Sequence, residues 1–221
     1  MTESATTRRR ELCDLLSSLT LEQWTAETLC AGWDAADITA HLIVREREPW
    51  TGPGLVLGGP FADLTDRRRA AWKARGREAL IGALRAGPPW PLTVAPLEGT
   101  QVVEDWIHEQ DVRRGGAGLS TPPPRPGLER LLWGAARRFA LRTLSVDANV
   151  VIELTDGRRR RRLQSRRRLP FATSTDAAAD VTITGRVAEL LLYAVGRDGA
   201  EVEVTGDAAA GSLLAASPRS V

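Results

Sequence analysis

The sequence predicts an α+β chain, an N-terminal four-helix bundle followed by a small α/β sandwich, and three observations carry that prediction. Apolar residues recur at helical spacing as far as Leu144, which fits amphipathic helices packed on one core. After Ser145 the period shortens to alternating strand-like segments with an Asp156-Gly157 turn signal. Gly/Pro clusters punctuate the helical half. The expected domains are therefore 1–145 and 146–221, and the second has its sheet covered by helices.

Each element follows from a local signal. Ala5 to Leu19 carries Leu12, Leu15, Leu16 and Leu19 as one apolar stripe and predicts the first helix, ending near Thr20. Asp34 stands at an N-cap position with Asp37 three residues on, so a second helix begins there and places Ile38, His41, Leu42 and Arg45 at helical spacing. Beyond the loop GPGLVLGGP, residues 62–85 form a third helical region broken at Gly76 and closed by PPWP. Residues 98–114 give the fourth helix. A Gly-rich stretch and PPPRPG make a linker to a further helix over 128–144. Strands are expected at 149–154, 181–184 and 201–205, with helices at 187–195 and 207–216.

Composition narrows the chemistry. The chain has 221 residues, 43% of them hydrophobic, which suffices for a core. No apolar run approaches a membrane span and the N-terminus MTESATTRRREL lacks a signal-peptide segment, so a cytoplasmic protein without membrane contact is expected. Cys13 and Cys30 match no metal or CxxC spacing and are expected to pack as small apolar side chains. Lys73 is the sole lysine and lies in an arginine-laden helix, which argues against Schiff-base chemistry. The segment 156–170 holds eight arginines against one aspartate, yet it shows no interleaved aromatics and no recognition helix. It reads as a solvated hairpin, and no nucleic-acid partner is expected. Nucleophile elbow, phosphate loop, dinucleotide fingerprint and HExxH are all absent.

The chain has two histidines, and they define the candidate site. Glu104 and His108 share one helix face a single turn apart, and His41 lies on the apolar face of a helix expected in the same bundle. Together they offer two imidazoles and a carboxylate, the ligand count of an open catalytic zinc site. Zinc is the first choice of metal. The same set also describes a non-haem iron triad, and a structural site or an ordinary core histidine uses the same residues. Asp111 is expected to support the ligands from outside. Arg45, one turn after His41, either binds an anion in the pocket or pairs with Glu48 or Asp111. Trp33, Trp50, Trp90 and Trp106 flank the site and either wall a pocket or fill the core.

Two of these segments, TLCAGWDAADITAHL and VVEDWIHEQDVRR, resemble the metal-ligand segments of the mycothiol-dependent maleylpyruvate isomerase family, within the wider set of DinB-like metal-binding helical bundles. The segment VTITGRVAELLLYAVGRDGAEVEVTGD is similar to that family's C-terminal domain of sterol-carrier-like fold, with its Gly-Arg motif at Gly196-Arg197. The resemblance implies a DinB-like bundle whose divalent metal, held by His41, Glu104 and His108, activates mycothiol as a thiolate that attacks a small electrophilic substrate. By the same resemblance Arg197 pairs with a substrate carboxylate, while its own position at a helix C-terminus also suits a purely structural charge. The expected activity is thus a thiol-dependent transferase or isomerase, and the alternative is a non-catalytic metal-bearing bundle that binds a small molecule or partner.

Overall fold

A computed structural model describes residues 4–48, 60–87, 97–167, 169 and 171–217. The chain divides into two compact units, Met1–Pro123 and Pro124–Val221. The expected boundary after residue 145 therefore moves to 123/124. Its cause is α7 (Pro126–Thr143), which packs on the elements that follow it rather than joining the bundle.

The first unit contains α1 (Ala5–Ser18), α2 (Leu21–Thr25), α3 (Ala35–Arg47), α4 (Pro60–Lys73), α5 (Arg77–Arg85) and α6 (Leu97–Arg114). Ser4 caps α1 through Thr7 N, and Asp34 and Asp37 close a reciprocal capping box on α3, as their spacing predicts. The break at Gly76 is where it was expected, since the glycine takes φ 84° between α4 and α5. The short α2, capped by Thr20 and Gln23, was not anticipated; five residues are too few to show a helical period. Leu12, Leu16, Ile38, Leu42, Ile43, Leu80 and Leu84 are fully buried, so α1, α3 and α5 share one core. The loop GPGLVLGGP, Trp50, Trp90 and the PPWP stop lie wholly or partly outside the described residues.

Helix α6 is unusual in being buried nearly all round from Gln101 to Val112. Its polar residues are tolerated because each has a partner: Asp105 with Arg9, Glu109 with Arg8 and Arg113, Gln110 with Arg114. At its C-terminal end a Cβ on Gly115 would lie 2.5 Å from both Glu27 O and Thr28 Cα, so only glycine lets the chain pass that closely. Gly116 N donates to Glu27 O at 2.6 Å, and Leu29 N donates to Asp111 O at 3.1 Å. These bonds stitch the segment carrying Cys30 and Trp33 onto the end of α6.

Helix α4 is held to α3 mainly by charge. Lys73 Nζ lies 2.9 Å from Asp34 and 2.6 Å from Asp37, Arg69 reaches Asp37 at 2.9 Å, and Arg68 and Trp72 both donate to Glu48. Burial disfavours the Lys73 ammonium, but Asp37 and Asp34 more than offset it and raise its pKa, consistent with a lysine that is no nucleophile. Hydrogen bonds from Arg68, opposed by burial and aided by Trp72, hold Glu48 below the usual carboxylate range. A carboxylate with a depressed folded pKa contributes stability above its unfolded pKa and loses it as pH falls through the folded value. Glu48→Gln should therefore lower stability at pH 7 and leave it near wild type at acid pH where Glu48 is protonated. Urea unfolding of both proteins at the two pH values checks this, and an unchanged difference at the acid pH would refute it.

The second unit carries α7, β1 (Val150–Thr155), β2 (Arg160–Ser165), β3 (Thr173–Ser174), β4 (Val181–Thr184), α8 (Val187–Ala194), β5 (Glu203–Gly206) and α9 (Ala208–Ala216). The sheet order is β3-β2-β1-β4-β5, with β1 parallel to β4 and every other pairing antiparallel. Asp156 Oδ1 accepts from Arg158 N and Arg159 N, which closes the expected hairpin turn. The arginine-rich segment thus becomes a strand whose Leu163 and Ser165 are buried, while Arg162 pairs with Glu153 at 2.6 Å. The last strand begins two residues later than expected. Ile152, Leu154, Ile183, Leu132, Leu190 and Leu191 form its buried interior. The α+β class, with a helical N-terminal part and a sheet-bearing C-terminal part, is the observed fold.

Candidate metal centre

His41 and Arg45 stand one turn apart on α3, and Glu104 and His108 one turn apart on α6. The His41 and His108 rings meet edge to face with centroids 5.1 Å apart, and Arg45 Nη2 lies 3.5 Å from Glu104 Oε1. Residue 41 thus opposes 108 and residue 45 opposes 104, which is the register of two antiparallel helices forming a two-rung ladder. Glu104 Oε2 lies 3.9 Å from His108 Nε2. One ligand atom from each of His41, Glu104 and His108 falls within 4.8 Å of the others, close enough to share one ion.

The donor chemistry fits a divalent metal. His108 Nδ1 is 2.9 Å from Asp111 Oδ2, and Asp111 is fully buried. A carboxylate there accepts the Nδ1 proton, so the Nε2 lone pair is left facing Glu104, the arrangement that orients a ligating imidazole. Asp111 Oδ2 also accepts from Cys30 Sγ at 3.2 Å. The expectation that both cysteines pack as plain apolar residues therefore holds for Cys13 alone, whose thiol burial pushes up to about 11. Cys30, His108 and Asp111 form a second close group of ligand types around the same histidine.

The remaining expected residues separate. Arg45 pairs with Glu104 rather than with Glu48 or Asp111. Trp33 touches the triad, its ring centroid 5.3 Å from that of His41, and the Arg69 guanidinium stacks over the Trp33 ring 4.2 Å from its centroid. Trp106, 2% exposed, is a buried residue of α6. Arg197 lies in the second unit just beyond α8, is buried, and donates from Nη1 to Val195 O at 2.8 Å.

Sequence reasoning missed a buried charge cluster beside the site. Arg9 Nε donates to Asp105 Oδ2 at 2.8 Å, Nη1 donates to Glu46 Oε2 at 2.8 Å and Leu84 O at 3.2 Å, and Nη2 also bonds Glu46. Two carboxylates share one guanidinium in a buried site. Burial accordingly pushes Asp105 up to about 6 against the pull of Arg9, while Glu46 and Asp105 outweigh burial and raise Arg9 further above its usual range. The directions differ because Arg9 has two anionic partners and Asp105 has half of one cation. A signal existed: Arg9, Glu46 and Asp105 each occupy an apolar-stripe position, as in Arg9, Leu12, Cys13 and Leu16.

Comparison with known proteins agrees with this architecture. Residues 5–52 match the family model of the mycothiol maleylpyruvate isomerase N-terminal domain. No curated protein matches the chain. Among solved structures, the mycothiol-dependent maleylpyruvate isomerase aligns with TM-score 0.59 at 17% identity, covering 91% of this chain and 90% of that one. A histidine-to-alanine mutant of the mycothiol-dependent maleylpyruvate isomerase aligns with the same score and coverage at 16% identity. The N-terminal segment of the chain is therefore similar to the mycothiol maleylpyruvate isomerase N-terminal domain, and the chain has the fold of the mycothiol-dependent maleylpyruvate isomerase.

Proposed function

We propose that the protein is an enzyme, a divalent-metal and low-molecular-weight-thiol dependent isomerase or transferase acting on a small electrophile. The single observation that supports this most is the convergence of His41, Glu104 and His108 within 4.8 Å, with His108 oriented by buried Asp111. Three ligands of this type leave a coordination position for an exogenous ligand. Bound there, zinc would lower the pKa of a thiol and supply thiolate at neutral pH without a separate base. The chain's own residues hold and shape that position: Asp111 fixes the His108 tautomer, Trp33 walls the His41 side, and Arg45 holds one oxygen of Glu104. Mycothiol is the proposed thiol and maleylpyruvate the first substrate to try, from the proteins this chain is similar to. A cytoplasmic setting belongs to the same reading. No helix of the described residues is long and apolar enough to cross a membrane.

Elemental analysis of the purified protein, with thiol-dependent turnover of maleylpyruvate and a panel of related electrophiles, tests the proposal. About one metal per chain and turnover that needs both metal and thiol are expected. Metal-free protein that cannot be loaded with zinc would overturn it.

Arg197 is proposed to hold a carboxylate of the substrate. Arg197→Lys keeps the charge and loses the two-pronged fork, so turnover should fall by on the order of tenfold with metal content unchanged. Thermal melting supplies the contrast: a lower melting temperature with wild-type turnover would assign Arg197 to structure alone.

A further inference from the structure

The two oxygens of Glu104 face different partners. Oε2 points toward His108 Nε2 at 3.9 Å, whereas Oε1 lies 3.5 Å from Arg45 Nη2. The side chains are only 21% and 16% exposed, so this pairing is sheltered from solvent competition. Arg45 extends from the same face of α3 as His41, one turn along. A guanidinium at this corner has two physical consequences. It pairs with Oε1, so only Oε2 would be left to a metal ion held by the triad. It also places a fixed positive charge beside a site whose other two ligands are neutral imidazoles, which weakens the hold on a cation and strengthens the hold on an anion.

We infer that Arg45 is a positioning residue that keeps Glu104 one-toothed and the centre electron-poor, giving up metal affinity in favour of an anionic exogenous ligand. This inference rests on the metal reading above. It assigns Arg45 a role opposite to that of an ordinary supporting residue, whose loss weakens the metal.

The test compares wild type, Arg45→Met and Arg45→Lys, each loaded with zinc or cobalt. Zinc affinity is measured by competition with a chromophoric chelator, and azide, a small anion, is titrated against the cobalt d–d bands. Arg45→Met should bind zinc more tightly than wild type by on the order of tenfold, the scale of effects from groups just outside a metal's ligands. Its cobalt spectrum should weaken toward that of higher coordination number, and its azide affinity should fall. Arg45→Lys, which keeps the charge, should stay closer to wild type in azide affinity. A merely structural arginine would lower the melting temperature without tightening zinc. Zinc affinity in Arg45→Met that is equal to or weaker than wild type overturns the inference, whereas wild type that binds no metal overturns the reading beneath it.

Discussion

His108→Ala should empty the metal centre, taking metal content from about one ion per chain to near zero in protein purified and dialysed alongside wild type. The expectation comes from the double role of that ring. Nε2 is one of three ligand atoms within 4.8 Å, and Nδ1 at 2.9 Å from Asp111 Oδ2 locks the ring in the ligating tautomer. Removing it leaves one histidine and one carboxylate, too few to retain zinc against dialysis. The fold should persist, because most of the buried apolar set of the first unit comes from α1, α3 and α5. Asp111→Asn should give an intermediate result, with affinity on the order of 10–100-fold weaker, since it disturbs the ring's orientation and removes no ligand. Unchanged metal content in His108→Ala would remove the triad from consideration.

Arg9→Met should be strongly destabilising. Arg9 is 5% exposed and Glu46 and Asp105 are 1% and 0% exposed, so its loss strands two carboxylates in the bundle interior. Breaking a buried ion network from one side typically costs about 3–5 kcal/mol. With a urea dependence of about 1–3 kcal/mol per molar, the unfolding midpoint should fall by on the order of 2 M. Arg85→Ala provides the contrast, because its 3.0 Å pair with Asp14 joins side chains 47% and 59% exposed and should shift stability by less than about 0.5 kcal/mol. Equal midpoints for wild type and Arg9→Met would mean the cluster relaxes to solvent.

Much of this was legible in the chain. The Asp34 cap, the Gly76 break, the Asp156-Gly157 turn and the switch of period after Ser145 each specify a local conformation, and each appears in the fold. The convergence of His41, Glu104 and His108 was legible because Glu104 and His108 sit one helical turn apart and His41 is the other histidine of the chain. What could not be read was long-range. The placement of Pro126–Thr143 with the second unit depends on which apolar face it covers, and a helical period is silent on that choice. The partner of Arg45 depended on the register between α3 and α6. The Arg9 cluster was hidden for a different reason: charges on an apolar stripe look like errors of pattern until complementary ones on neighbouring helices are brought together.

The antiparallel ladder of 41 against 108 and 45 against 104 also limits how such a chain can change length. Each rung depends on a spacing of four residues, so one residue inserted or deleted between His41 and Arg45, or between Glu104 and His108, rotates everything beyond it by about 100° and removes a rung from the face it shares. Descendants of this sequence should therefore keep the intervals 41–45 and 104–108 fixed to the residue.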